Sequence, residues 1–179
     1  MPSPHPAATA AVVFAALLVA HHLGDHWVQT GHQARHKGDP SRTGQWACAA
    51  HVTTYTATTL AAVLATAAAL HLPLTAAGIA AGQAFSAVTH YAVDRRWTLA
   101  LLARRLGKAE FHRLGQPRRL QVRAVHVTTR ATAPEHYHQN DEHVLVDLDN
   151  PVLGTGAYSL DQSLHLPALF VSALLTTLI

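Results

Sequence analysis

Charge is scarce in this sequence. Of 179 residues only 13% are Asp, Glu, Lys or Arg and 6% are aromatic, while 49% are hydrophobic. An ordinary soluble domain is about a quarter charged, so that class is disfavoured. Disorder needs high charge and few apolar residues, and is excluded. A single cysteine, Cys48, excludes a disulfide scaffold and any cysteine-rich zinc finger. Neither a glycine-rich phosphate loop nor a nucleophile elbow is present. Histidine fills the gap: 15 histidines outnumber the 13 Lys and Arg together.

The missing charge is patterned. Residues 6–24, 46–93 and 162–179 contain no Asp, Glu, Lys or Arg. A bilayer core takes about 20 apolar residues per helix, and the middle stretch holds two helices with a turn at Leu70-His71-Leu72-Pro73. Four spans are therefore expected, over 7–29, 46–70, 74–94 and 158–179. They are rich in Ala, Thr and Gly, the small residues used where membrane helices touch. A soluble alanine-rich bundle is the alternative, but it would carry a charged outer face that these segments lack. The expected fold is all-α: a four-helix transmembrane bundle with a polar insert before its last helix. Residues 1–106 hold three spans and an interfacial extension, 107–157 the insert, and 158–179 the fourth span. With no basic residue before the first apolar run and no small-x-small site after it, that run reads as a retained span, not a cleaved signal.

Orientation follows from the basic residues. Arg35, Lys37 and Arg42 lie between spans one and two, and the other ten Lys and Arg lie from Arg95 to Arg130. The positive-inside rule makes both loops cytoplasmic, with both termini outside, in an inner-membrane multi-pass protein. The net charge of +3 is thereby explained without nucleic acid. Trp27, Trp46 and Trp97 fall at the inner boundary as aromatic anchors, and Arg95 to Leu106 reads as a surface-lying extension or a stop-transfer flank. In the insert, 120–127 and 144–148 alternate like short strands. His136, His138 and His143 between them offer a metal site, although a solvated turn is the better reading because no rigid frame fixes the ligands.

The polar residues inside the spans carry the chemistry. His22, Asp25, His26 and Gln29 share one face of span one at helical spacing. His51 and Tyr55 open span two, His90 and Asp94 close span three, and Asp161 and His165 open span four. The orientation deduced from Lys and Arg alone brings all of these to the inner end. Carboxylates are costly inside a membrane and need partners. Each pair alone is read most simply as a hydrogen-bonded helix contact; their convergence at one depth favours a shared site. His22, Asp25, His51, His90, Asp94, Asp161 and His165 are expected metal ligands, for zinc, manganese or iron, with enough donors for two ions. Asp25, Asp94 and Asp161 are the catalytic candidates; Gln29, Gln162, Tyr55 and His26 would orient them. His21, His26, His32 and His36 read more simply as interfacial, His71 as a turn residue and Cys48 as packing.

The run His22-Leu23-Gly24-Asp25-His26-Trp27-Val28-Gln29-Thr30, then Lys37, His51, His90-x-x-x-Asp94 and Asp161-Gln162-x-x-His165, resembles a family of small bacterial and phage integral membrane proteins known as a domain of unknown function. The resemblance spans all four helices but not the insert, and departs at Arg95-Arg96-Trp97. It implies a four-helix membrane fold with a polar site, and no activity. His-x-x-x-Asp also faintly resembles membrane-bound metal-dependent hydrolases. Three functions are carried forward. The first is a metal-dependent hydrolase acting on a lipid or amphiphile, with Arg95 and Arg96 attracting an anionic head group. The second is a proton or metal-ion transporter with a path along Thr53, Thr54, Thr56, Thr58, Thr59 and Thr66. The third is a non-catalytic scaffold. Membrane lipids are the expected partners, nucleic acid is not, and homo-oligomerisation is left open.

Overall fold

The structure, a computed structural model, describes residues 5–115 and 155–179. The expected strands over 120–127 and 144–148, and His136, His138 and His143, lie outside the described residues. All regular structure among the described residues is helical: α1 (Pro6–Leu23), prolonged by a π-helical turn (Gly24–Val28), α2 (Gly31–His36), α3 (Arg42–Leu70), α4 (Ala76–Asp94), α5 (Trp97–Arg105), α6 (Ala109–His112) and α7 (Gly156–Leu178).

The helix starts are chemically marked. Hydroxyls of Ser41, Thr75 and Thr155 accept from the backbone N–H groups of Gly44, Gly78 and Tyr158. Thr30 and Gln33 form a reciprocal capping box that nucleates the short α2, a helix the hydropathy pattern does not reveal. α3 stops at Leu70 because His71 turns left-handed, φ 50°, and Pro73 follows.

The four long helices pack in a closed ring, α1 on α3, α3 on α4, α4 on α7 and α7 on α1. The interior is layered. At one end Val13, Leu17, Val63, Leu169 and Ala173 make an apolar core, with Phe14, Leu18 and Ile79 against it. A neutral polar layer follows: Thr59 donates to Gln83 Oε1 at 2.8 Å, and the Tyr55 hydroxyl lies 3.3 Å from Ser86 Oγ. The titratable residues occupy the other end.

α4 meets α7 through glycine. A Cβ at Gly78 would come within 2.6 Å of Thr176 O, and one at Gly82 within 2.7 Å of Ser172 O, whose hydroxyl donates to Gly82 O at 2.9 Å. Only a bare backbone permits that approach. Gly82→Leu should therefore cost about 1–3 kcal/mol of stability by overpacking, read as a lowered thermal midpoint in detergent; an unchanged midpoint would mean that α7 does not lie so close.

Two helical stretches, Pro6–Val28 and Arg42–Leu70, are long and apolar enough to cross a membrane. The sequence reading expects four. α4 and α7 have spanning length, 19 and 23 residues, but Gln83, His90 and Asp94 in one and Asp161, Gln162 and His165 in the other lower their hydropathy. The start of the expected insert joins the bundle end: Gly156 N donates to Leu114 O at 2.9 Å.

Candidate metal centre

The buried stripe of α1 runs Ala10, Val13, Leu17, Ala20 and then His21. Asp25 follows His21 by four residues and turns inward with it, their nearest side-chain atoms 3.7 Å apart. The π turn then widens the helix, so that Gln29 N donates to Gly24 O at 3.0 Å. Gly24 lies where a Cβ would meet the Tyr55 ring at 3.0 Å, which keeps α1 close to α3. His22 is one residue off the stripe and is exposed. It is therefore placed outside the cluster, against expectation, and fully buried His21 stands there instead. His26, expected as an orienter, is exposed and sits 3.0 Å from His22 O.

At the centre are two imidazoles from facing helices. His51 Nε2 of α3 and His90 Nε2 of α4 are 3.0 Å apart. Asp25 Oδ1 lies 3.2 Å from the first and 3.3 Å from the second. Asp94 Oδ2 lies 3.1 Å from each. The carboxylates thus close two triangles on one His–His edge. Among the described residues neither oxygen has a hydrogen-bond partner despite these distances. Around an ion at 2.0–2.1 Å a tetrahedral face has edges of about 3.3–3.4 Å, and both triangles come within a few tenths of that. Two nitrogens and one or two carboxylate oxygens therefore converge as ligands do. These buried His and Asp groups can hold a metal ion.

A second layer holds the first. Tyr55 stacks on His90, rings 3.7 Å apart and 18° from parallel. Lys37 Nζ, nearly buried, sits 2.9 Å from Asp94 Oδ1. His165 Nε2 lies 3.6 Å from Asp161 Oδ2 and 3.9 Å from Asp94 Oδ1, without a hydrogen-bond partner among the described residues. Gln162 Nε2 donates to Asp161 Oδ2 at 3.2 Å, and Gln29 Nε2 is buried without a partner. Of the seven expected ligands, Asp25, His51, His90, Asp94, Asp161 and His165 come together; His22 does not. His21 and Lys37 are additions. The continuing apolar stripe is the signal for His21, while no hydropathy signal marks Lys37.

A cavity of about 560 Å³ opens onto this cluster. Asp25, Gln29, Lys37, Asp94 and Asp161 line it, together with Trp97, Leu99 and Ala100 of α5 and Tyr158 of α7. Arg95 differs from the sequence expectation. Arg95 is buried, with Nη1 donating to Lys37 O at 2.9 Å and Nη2 to Asp39 O. It fastens the α2–α3 loop and has no free face for a head group. Arg96 is exposed at the cavity, with φ 52° and its guanidinium donating to Ala34 O at 3.0 Å.

Neither the curated proteins nor the solved structures contain a match to this chain. One family profile does match, over residues 13–118. That stretch carries Asp25, Lys37, His51, His90, Asp94 and Arg95, while Asp161 and His165 of α7 lie beyond it. The chain accordingly belongs to DUF3307, a family of proteins of unknown function.

Proposed function

We propose that the protein is a metal-dependent hydrolase embedded in a membrane and acting on a lipid or similar amphiphile. The observation that carries this is the buried His51–His90 pair flanked by two carboxylates, Asp25 and Asp94, that themselves line a cavity of mixed polar and apolar side chains. Three protein ligands with an adjoining open space are the arrangement of catalytic, not structural, metal sites.

Membrane embedding by all four long helices is supported from outside the bundle. Val19, Leu64, Val88, Phe170 and Leu178 project outward from them, and Val88 is 69% exposed. Trp27, Trp46 and Trp97, 83%, 76% and 52% exposed, all fall at the cavity end of the bundle, as interfacial anchors do. The basic loops at that end put it in the cytoplasm on the positive-inside rule, with both termini outside.

A bound divalent cation, zinc, manganese or iron, supplies Lewis acidity and an activated water. The chain does the rest. Asp25 and Asp94 neutralise the ion and His51 and His90 fix its position. Asp161, at the cavity and less enclosed than the others, is placed to take a proton from the attacking water. Trp97, Leu99 and Ala100 of α5 and Tyr158 offer the substrate's apolar part a surface at the cavity. Transport is less well supported. The core of Val13, Leu17, Val63, Leu169 and Ala173 fills the far half of the bundle, and the hydroxyls of Thr53, Thr54 and Thr58 bond back to their own helix.

Elemental analysis of detergent-purified protein, beside a hydrolysis assay on mixed lipids, tests this. Wild type should retain a transition metal and release product. Asp161→Asn should retain the metal while turnover falls about 10²-fold or more. No metal in wild type, even after reloading, would overturn the proposal.

A further inference from the structure

Asp94 is shared. Its Oδ2 faces the His51–His90 pair, and its Oδ1 faces a second group of donors, His165 Nε2 at 3.9 Å and, beyond it, Asp161 Oδ2 at 3.6 Å from that nitrogen. The ligand atoms of Asp94, Asp161 and His165 lie within 4.8 Å of one another. His165 is 2% exposed and its Nε2 has no hydrogen-bond partner among the described residues, so a buried nitrogen aims into this space unanswered. A carboxylate with one oxygen on each of two donor groups is how helical bundles bridge paired ions. Here Lys37 Nζ sits on the bridging oxygen, 2.9 Å from Asp94 Oδ1.

We infer that Asp94, Asp161 and His165 form a second divalent-cation site and that the Lys37 ammonium takes the second cation's place, holding the wild-type centre to one ion. This rests on the metal centre proposed above. Charge decides the count. Asp25, Asp94 and Asp161 bring three negative charges; one divalent ion and Lys37 bring three positive ones, and the buried centre is neutral. A second divalent ion beside Lys37 would leave an excess of two positive charges, with the ammonium 2.9 Å from the Asp94 oxygen that this ion needs, which is unfavourable. A lysine is a compact point charge and fits a cation's position. With a neutral side chain at position 37, Asp94 Oδ1 is released and the second site completes itself.

Zinc is the probe. Purified protein is stripped with chelator, titrated with zinc, desalted and assayed for zinc per chain, with circular dichroism confirming helicity. Wild type and Lys37→Arg should hold one equivalent. Lys37→Met should hold two, and Lys37→Met combined with His165→Ala should return to one. Lys37→Gln serves as a second neutral variant where Lys37→Met misfolds. Two equivalents in wild type, or one in both neutral variants, would overturn the inference. Wild type holding none would instead remove the metal centre on which it rests.

Discussion

His51→Ala should abolish metal binding at the proposed centre. His51 Nε2 lies on both ligand triangles, 3.0 Å from His90 Nε2, 3.2 Å from Asp25 and 3.1 Å from Asp94, so neither three-donor set survives its loss. A four-donor zinc site contributes about 10–16 kcal/mol in all, which places one donor near 3–4 kcal/mol, or a 10²–10³-fold loss of affinity. His90→Ala should match it, with additional damage because Tyr55 loses the ring it stacks on. His22→Ala is the control. That residue is exposed and off the stripe, and its removal should change neither metal content nor thermal midpoint. Retention of a full equivalent by both His51→Ala and His90→Ala would show that the ion binds elsewhere. Loss of metal from His22→Ala would restore that residue to the ligand set and move the π turn.

Much of this was legible without coordinates because the chain is so short of charge. When 13% of residues are charged, each charge inside an apolar run is informative. Asp25, Asp94 and Asp161 each have a histidine four residues away, at positions 21, 90 and 165, and helical spacing does the rest. The four long helices follow from the same gaps. What was not legible has two physical origins. The first is phase. His22, Asp25, His26 and Gln29 fit one face of a regular helix, but the buried stripe selects His21, and a π turn begins at Gly24. A one-residue phase error exchanges the buried histidine for an exposed one. The second is the use of basic residues as topology markers. That treats Lys37 and Arg95 as solvated charges, whereas one ends on Asp94 and the other on two backbone carbonyls. Burial of a cation depends on partners distant in sequence, 58 residues away for Arg95 and Lys37, and no local pattern reports that. The two triangles are likewise invisible to spacing, because they require α3 and α4 to present His51 and His90 at the same height.

Arg95→Ala should be the most damaging change outside the ligands. Arg95 is 4% exposed, and its two donors tie the end of α4 to the carbonyls of Lys37 and Asp39. Removing it leaves both carbonyls without their partner and opens a void beside Asp94. An unpaired buried polar group costs about 1–3 kcal/mol, so about 2–5 kcal/mol is expected, read as a lowered thermal midpoint in detergent. The effect should reach the site, because the loop that Arg95 holds is the one that presents Lys37 to Asp94. Lys37→Met removes the ammonium but leaves the loop; Arg95→Ala leaves the ammonium but frees the loop, and so should loosen Asp94 as well as destabilise the fold. Arg95→Lys should rescue only in part, since one ammonium cannot reproduce a planar fork directed at two carbonyls. Arg96→Ala removes a single exposed hydrogen bond to Ala34 and should cost less than about 1 kcal/mol. The contrast separates two roles for adjacent arginines. If Arg95 served to attract an anionic head group, Arg95→Ala would weaken binding to anionic vesicles at an unchanged midpoint. Its burial predicts the reverse: a lowered midpoint in detergent free of anionic lipid, because the group it neutralises is the protein's own backbone.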